Sequence, residues 1–180
     1  MVADRGYPGH LASELSIAGQ RVEIRPVRPS DAGRVAEFAG SLSDETWRLR
    51  FFGGRVAITD GMLDRATRVD YRNHLALVAS SEARMIAGAR YVASEGDTAC
   101  EFAIVVADDW QGRGLGRVMM RKLIEAAKAT PFATMVGYVA AGNRGMRGLC
   151  RSFSFTDRAV PGDMRTRIVE LELRARIPPA

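Results

Sequence analysis

The sequence predicts an α/β protein with a mixed, mostly antiparallel sheet of six to seven strands and flanking helices. Apolar segments over 74–80, 84–93 and 98–106 are joined by short polar turns, which predicts an antiparallel meander. A helical pattern over 112–129 then separates this meander from a strand-like segment over 133–140, which predicts one β–α–β crossover. The length of 180 residues is enough for one domain with a core and short for two.

The other elements are predicted from shorter patterns. Residues 1–20 carry Gly, Pro and Ser with little periodicity, so we expect a flexible arm there, and a single domain over 21–180. The remaining predicted elements are, in chain order, a strand over 21–27, a helix after the turn at 29–31, helices over 44–52, 60–68 and 142–152, and strands over 153–159 and 165–173.

Composition and charge indicate which partners, location and metal sites to expect for this protein. The net charge of +5 favours anionic partners, but the basic residues are spread along the chain, so nucleic acid is not expected as a partner. No apolar run reaches the roughly 18 residues of a membrane helix, and the N-terminus lacks the apolar core of a signal peptide. These features predict a cytoplasmic protein without a membrane partner. The two cysteines and two histidines are isolated, so no metal site is expected.

The stretch VVADDWQGRGLGRVMM, residues 105–120, joins a predicted strand to a predicted helix. The first amide N–H groups of a helix have no intrahelical partner, and the helix macrodipole adds partial positive charge there. Glycines at alternate positions let a ligand approach those amides, and the arginines beside them add charge. The loop is therefore predicted to bind phosphate, the alternative being a glycine-rich turn without a ligand. The residues concerned are Gly112, Arg113, Gly114, Gly116 and Arg117.

Two common phosphate loops do not match this stretch. A Walker loop needs Gly-Lys-Ser/Thr, which is missing from the sequence. A Rossmann loop needs a third glycine where this chain has Met119, and it follows a strand of a parallel sheet, whereas the strands before this loop are predicted to be antiparallel.

The segment Gln111-Gly112-Arg113-Gly114-Leu115-Gly116 resembles the Q/R-x-x-G-x-G/A loop of the GCN5-related N-acetyltransferase (GNAT) family, and the resemblance spans residues 21 to about 159. It implies the GNAT fold, N-acetyltransferase activity and acetyl-CoA as acyl donor, with the loop amides on the pyrophosphate. It also implies a bulge at Val106, whose backbone pairs with the pantetheine arm. The cofactor-binding residues that it implies are Ile104, Val105, Val106, Gln111, Gly112, Gly114, Leu115, Gly116 and Asn143.

A narrower resemblance concerns EIRPVRPSDAGRVAEFAGSLSDETWRLRFFG and TRVDYRNHLALVA, which are similar to the acetyltransferase domain of bacterial Pat-type protein lysine acetyltransferases. This implies a protein lysine acceptor, with an acyl-CoA synthetase as one candidate. In that group the domain is often fused to a regulatory domain, for which 180 residues leave no room, so any regulation is expected in trans. The alternatives are transfer to a small amine and a non-catalytic acyl-CoA sensor.

Acyl transfer to an amine requires a base, because a lysine amine with a pKa near 10.4 is protonated at neutral pH. Glu101 is the candidate, since it begins an apolar strand and shares a face with Ala103 and Val105. A position near the sheet interior would raise the pKa of its carboxyl by desolvation. A solvent-exposed Glu at a strand end is the alternative, and the Pat-type resemblance favours the catalytic role. The backbone N–H of Val106 is the candidate oxyanion donor.

The leaving thiolate has no clear proton donor. Many GNAT members have a Tyr seven residues after the Asn that matches Asn143, and this chain has Cys150 there. We expect no dedicated acid and a buried, unreactive thiol, because a CoA thiolate leaves readily. Arg144, Arg147 and Arg151 share one face of the same predicted helix. Arg147 is therefore a candidate for the adenosine 3′-phosphate, with a solvated basic face as the alternative.

Overall fold

The computed structural model describes residues 6–174 and confirms the predicted α/β class with a mixed, mostly antiparallel sheet. The strands of this part of the chain are β1 Ser13–Ile17, β2 Gln20–Pro26, β3 His74–Ser81, β4 Arg84–Val92, β5 Ala99–Val106, β6 Thr134–Ala140, β7 Thr156–Val160 and β8 Asp163–Glu172. Its α-helices are α1 Ala32–Ser41, α2 Asp44–Phe51, α3 Asp60–Thr67, α4 Leu115–Lys128 and α5 Arg144–Ser152. No helix in residues 6–174 is long and apolar enough to cross a membrane.

The sheet has the order β1-β2-β3-β4-β5-β6-β8-β7, and β5 and β6 form its one parallel pair among the described residues. Their pairing is short, running from Ala99–Thr134 to Glu101–Val136. Past this point β5 continues to Val106 and β6 to Ala140 without pairing to each other. The two strands therefore diverge in the middle of the sheet and open a cleft between them.

The two faces of the central strands are covered by different helices. Helix α4 packs against β4 and β5 on one face, through an apolar stripe that includes Leu115, Met119 and Leu123, all fully buried. Helix α1 packs on β4, α2 on β5, and α3 on α1. The predicted apolar face of α4 thus forms the core with the sheet, as amphipathic spacing requires.

The prediction of a flexible arm over residues 1–20 is wrong for Ser13–Ile17, which forms β1 and pairs with β2. Within residues 6–174 the sheet accordingly has eight strands rather than six to seven. Ala18 and Gly19 both have positive φ, 50° and 79°, which matches the two-residue turns that suit the twist of a hairpin. Leu15 and Ile17 then alternate with polar residues. Residues 1–5 of the predicted arm lie outside the described residues.

Helix α4 begins at Leu115, not at residue 112. Gly112 and Gly114 have φ of 72° and 88°, in the left-handed region that glycine enters without a steric penalty, so the chain cannot be helical there. Two of the three loop glycines therefore define a turn that precedes the helix and leads into its first exposed amides.

Candidate active site

The cleft between the diverging strands has a volume of about 410 Å³. Its walls come from β5, β6, the loop before α4, α2 and the start of α5. The predicted site residues that line it are Glu101, Ile104, Val105, Val106, Gln111, Gly112, Gly116 and Asn143. One short region of the sheet therefore brings together most of the residues that the sequence singles out.

The open edge of β5 supplies backbone groups to this cleft. The N–H of Ala107 donates to the carbonyl of Ile86 at 2.8 Å, which continues the β4–β5 ladder. Successive N–H groups of a strand point alternately to its two neighbouring strands. The N–H groups of Ile104 and Val106 therefore point away from β4, to the side from which β6 has diverged. These groups can pair with an extended ligand that lies along β5, as the added strand of a sheet does.

The predicted bulge at Val106 is wrong. The β4–β5 ladder runs from Val92–Glu101 to Ala87–Val106 without a change of register. The register shift nearest to it lies between β3 and β4, at Ala79 and Ser80. The backbone of Val106 is therefore directed to the cleft by strand divergence, which needs no extra residue in β5.

The glycine loop leaves the first turn of α4 open to the cleft. A Cβ added at Gly112 or Gly114 would have no heavy atom within 4 Å, so both positions face open space. At Gly116 a Cβ would meet Leu149 and Val106 at 3.6 and 3.8 Å, ordinary contact distances. The helix-start amides and this uncrowded turn fit a pyrophosphate group. Leu115 contributes its backbone to the helix start, while its side chain is fully buried in the core.

A hydrogen-bond network ties this loop to α2. The carboxylate of Asp108 accepts from the N–H and hydroxyl of Ser43, at 2.8 and 2.6 Å, and from the hydroxyl of Thr46 at 2.7 Å. Gln111 donates through Nε2 to Thr46 and to the carbonyl of Val106. Burial opposes ionisation of Asp108, but the hydrogen bonds from Ser43 and Thr46 outweigh it and hold the pKa of this carboxyl below its usual value. The Gln111 side chain thus fixes the loop.

Glu101 lies at the last paired position before the strands diverge, opposite Val92 on β4 and Val136 on β6. Its side chain is exposed, so the expectation that it lies near the sheet interior is wrong. Glu101 stands at the branch point, where β5 and β6 begin to separate and the cleft opens beside its side chain. The carboxylate is therefore open to a molecule that enters the cleft.

Three predicted cofactor arginines do not line the cleft. Arg113 lies over the ring of Trp110, with 5.3 Å from its Cζ to the ring centroid. Arg117 donates to the hydroxyl of Ser152 at 2.8 Å. Arg113, within the loop, and Arg117, in the first turn of α4, are both exposed, and they can still raise the local potential.

Arg147 is engaged in a structural ion pair. It contacts Asp157 at 2.8 Å, and Arg167 contacts the same carboxylate at 2.6 Å. Burial alone would raise the pKa of Asp157, but the hydrogen bonds from Arg167 and Arg147 outweigh it, and this pKa is lowered. The interpretation of Arg147 as a phosphate ligand is not supported by this geometry, because its guanidinium already has a carboxylate partner that fixes α5 to β7.

Asn143 caps α5, since its side-chain oxygen accepts from the N–H of Met146 at 3.0 Å. It also lines the cleft, so its amide group holds the start of α5 beside the open edge of β5. Cys150, further along α5, is buried, and burial raises the pKa of its thiol to about 12. This agrees with the prediction of an unreactive thiol.

Two polar residues that sequence reasoning missed in the cleft wall are Arg50 on α2 and Tyr138 on β6. Tyr138 is about half exposed. Alternation along 133–140 places Tyr138 and Val136 on the same face, which was the available signal. Arg50 gave no comparable signal, because it lies in a charged helix whose orientation depends on tertiary packing.

The sequence of this chain is similar to those of known acetyltransferases. Residues 21–156 match the family model of the acetyltransferase (GNAT) domain. The acetyltransferase PA5475 of Pseudomonas aeruginosa is 36% identical over 159 residues, which cover 86% of each chain. The acetyltransferase Pat of Mycolicibacterium smegmatis is 35% identical over 133 residues, which cover 72% of this chain and 39% of that protein.

Solved structures agree on the fold. The GNAT domain of the S. lividans PAT superposes with a TM-score of 0.85 at 23% identity, covering 92% of this chain and 99% of that one. The acetyltransferase yncA of Salmonella typhimurium, solved with acetyl-CoA, superposes with a TM-score of 0.71 at 20% identity, covering 88% and 98%. With the strand divergence, the glycine loop and the family match together, the chain belongs to the GNAT family of acetyltransferases, enzymes whose acyl donor is acetyl-CoA.

Proposed function

We propose that this enzyme transfers the acetyl group of acetyl-CoA to a primary amine, with Glu101 as general base and a protein lysine side chain as the first candidate acceptor. The observation that carries the proposal is the position of Glu101. It is exposed on the cleft wall where β5 and β6 separate, next to the backbone edge that can hold the donor. The sequence relative named acetyltransferase Pat, 35% identical over 133 residues, is consistent with the resemblance to Pat-type enzymes, and that resemblance implies the lysine acceptor.

Each part of the cleft has a distinct task in this proposal. The glycine loop and the start of α4 hold the donor's pyrophosphate, and Ile104 pairs with its extended arm. Glu101 accepts a proton from the amine, directly or through water, so that the neutral nitrogen attacks the thioester carbon. The C–N bond forms, the C–S bond breaks and the thiolate leaves. The N–H of Val106 stabilises the oxyanion that develops in between.

A small amine is the second candidate acceptor, and one observation favours it. A separate cavity of about 600 Å³ lies between α1–α3 and the sheet, and it shares Arg50, Ala103 and Val105 with the cleft. Such a volume is within the range of small-molecule sites. The sensor alternative is not retained, because the family is one of enzymes.

The proposal can be tested with labelled acetyl-CoA. We expect new acetyl-lysines in a cell lysate, found by mass spectrometry, and thiol release with the purified acceptor; an acyl-CoA synthetase is one protein to include. Removing a positioned base costs roughly 10²–10⁴-fold in rate. We therefore expect Glu101→Gln to lower kcat by this factor, while Glu125→Gln, an exposed residue near the end of α4, leaves it unchanged. Unchanged turnover in Glu101→Gln would show that Glu101 is not the base. Acetylation of small amines alone would remove the lysine acceptor.

A further inference from the structure

The cavity behind the cleft, here called the inner cavity, has an unusual charge. It is bounded by α1–α3 and by the face of β3–β5 that lies opposite α4. Four arginines and no carboxylate are among the residues that line it. Arg68 is already paired, with Asp64 at 2.8 Å, and Arg65 is exposed. The other two, Arg50 and Arg90, lie deeper and adjoin the cleft.

Arg50 and Arg90 lack an anionic partner. In residues 6–174 no carboxylate lies within 4.0 Å of either guanidinium. Burial first, and then the charge of Arg90, lower the pKa of Arg50 to about 10; burial likewise lowers the pKa of Arg90. The negative charge of Glu101 acts to raise the pKa of both arginines, so this carboxylate is within electrostatic range of each guanidinium. Two partly buried cations side by side are costly unless an anion joins them.

A third polar group in the inner cavity also has no partner. Nε2 of His74 is buried and has no hydrogen-bond partner among the described residues. Strand pairing puts His74, Val92 and Glu101 in one row across the sheet. Arg90 pairs with Ala103 two positions further along, in the nearest row that projects from the same face. Partners in a row project from the same face. The guanidinium of Arg90, the imidazole of His74 and the carboxylate of Glu101 thus belong to one face, over which α2 places Arg50.

We propose that Arg50 and Arg90 bind a carboxylate of the acceptor, so that the preferred acceptor carries this group close to its reacting amine. The inference rests on the proposed function and specifies its acceptor. A guanidinium pair can bind a carboxylate through bidentate hydrogen bonds, and His74 can add one more. The cleft in which the acetyl-CoA donor is proposed to lie follows the backbone edge of β5, whereas the arginines lie on the side-chain face that carries Glu101. A molecule with an amine at Glu101 and a carboxylate at the arginines therefore spans the junction of cleft and cavity.

The carboxylate can come from two sources, a free amino acid or an acidic residue beside a lysine in a peptide. One arm of the test compares 5-aminovalerate with 5-aminovaleramide, which differ in the carboxylate alone. The other compares peptides in which Glu or Gln adjoins the single lysine. In one of the two arms, we expect kcat/KM to be at least about tenfold higher for the carboxylate-bearing acceptor than for its neutral amide counterpart. The reason is that the amide cannot form the bidentate contact with a guanidinium. The arm that shows the preference identifies the source.

The variants Arg50→Gln and Arg90→Gln test the residues. We expect the acid-to-neutral ratio of kcat/KM to fall to about one in each, mainly through KM, while Arg48→Gln keeps the wild-type ratio. Arg48 is an exposed arginine of the same helix and does not line either cavity. Neither arginine has an ion-pair partner among the described residues, and Arg50 stacks over the ring of Phe51 with 4.8 Å from its Cζ to the ring centroid, so each variant is expected to lower the melting temperature only slightly. Arg90→Lys should restore part of the preference.

Three results would overturn the proposal. One is an equal kcat/KM for acid and neutral acceptors in both arms. A second is an acid preference that persists in both variants. The third is a preference for succinyl-CoA over acetyl-CoA that depends on Arg90, without any preference among acceptors, since this would assign the anion to the donor. Thermal stabilisation by 5-aminovalerate, compared with pentylamine and measured without acetyl-CoA, tests the anion site even if no acceptor is acetylated. Stabilisation by 5-aminovalerate but not by pentylamine would show that the anion site exists even if no acetyl transfer is detected. Failure of the proposed function can thus be told apart from failure of the anion site.

Discussion

Gly137 on β6 lies at the point where the cleft begins, and replacing it with alanine tests how the strands are held apart. Gly137 follows Val136, the last residue of β6 that pairs with β5. An added Cβ would overlap Cε1 of Phe102 and would lie 2.7 Å from its Cζ, closer than real Cβ contacts allow. Phe102 is buried and stacks edge-on against Phe155, so its ring has little space to move. The aromatic ring therefore requires a residue without a side chain opposite it.

We expect Gly137→Ala to lower the free energy of unfolding by about 1–3 kcal/mol, the usual cost of extra atoms in a packed core. For a chain of this size each kcal/mol corresponds to roughly 2–4 °C in melting temperature. A displaced Phe102 also alters the cleft, because this residue lines it next to Glu101. The KM for acetyl-CoA should therefore rise along with the loss of stability.

The assay is urea and thermal unfolding of the variant beside Gly148→Ala as a control. A Cβ at Gly148 in α5 would have no heavy atom within 4 Å, and alanine is favoured over glycine inside a helix by roughly 0.5–1 kcal/mol. The two Gly→Ala changes should thus have opposite signs. Phe102→Leu should recover part of the loss in the double variant, through a coupling energy of about 1 kcal/mol. A Gly137→Ala protein as stable as wild type, or a loss that Phe102→Leu does not reduce, would refute this account of how Phe102 packs against β6.

Three further predictions concern the loop, one ion pair and the thiols. Gly114→Ala, at φ 88°, should raise the KM for acetyl-CoA and cost about 1 kcal/mol in urea unfolding. Because the pKa of Asp157 is lowered, its ionised carboxylate stabilises the fold above the ordinary Asp range, and this stabilisation is lost as pH falls through the folded pKa. The free energy of unfolding of Asp157→Asn should therefore fall less steeply than that of wild type between pH 5 and pH 2. Burial raises the pKa of both Cys100 and Cys150 to about 12, so neither should react with a thiol reagent at pH 8 until the protein is unfolded by urea.

The donor half of the site could be predicted from sequence because it depends on local features. The glycine turn and the following helix are adjacent in the chain, and periodicity alone assigns the buried side of α4. The family resemblance added acetyl-CoA, and the family match confirms it. The errors in this half are also local: helix periodicity cannot show that Gly112 and Gly114 adopt left-handed φ before the helix begins.

The proposed acceptor half of the site depends on contacts between distant segments, so it could not be predicted from local sequence patterns. Arg50 and Arg90 are 40 positions apart in the numbering of the chain. They approach each other only because α2 packs over β5 and β5 pairs with β4. A visible signal was Arg90 itself, a charged residue within the apolar strand β4. Likewise, the exposure of Glu101 follows from the early end of the β5–β6 pairing, which no pattern within either strand encodes.

In the proposed function, strand β5 contacts the donor and the acceptor at the same time, because its backbone N–H groups and its side chains point in perpendicular directions. The backbone N–H groups of Ile104 and Val106 lie in the plane of the sheet, toward the gap left by β6. The side chains of Glu101, Ala103 and Val105 stand on the face toward the inner cavity. A shift of one residue in the β4–β5 register would turn Glu101 into the α4 core and replace the open amides with ones bonded to β4. The unbroken register of this pair thus keeps Glu101, the proposed base, beside the open backbone edge of β5, while Phe102 and Ile104 anchor the strand in the core.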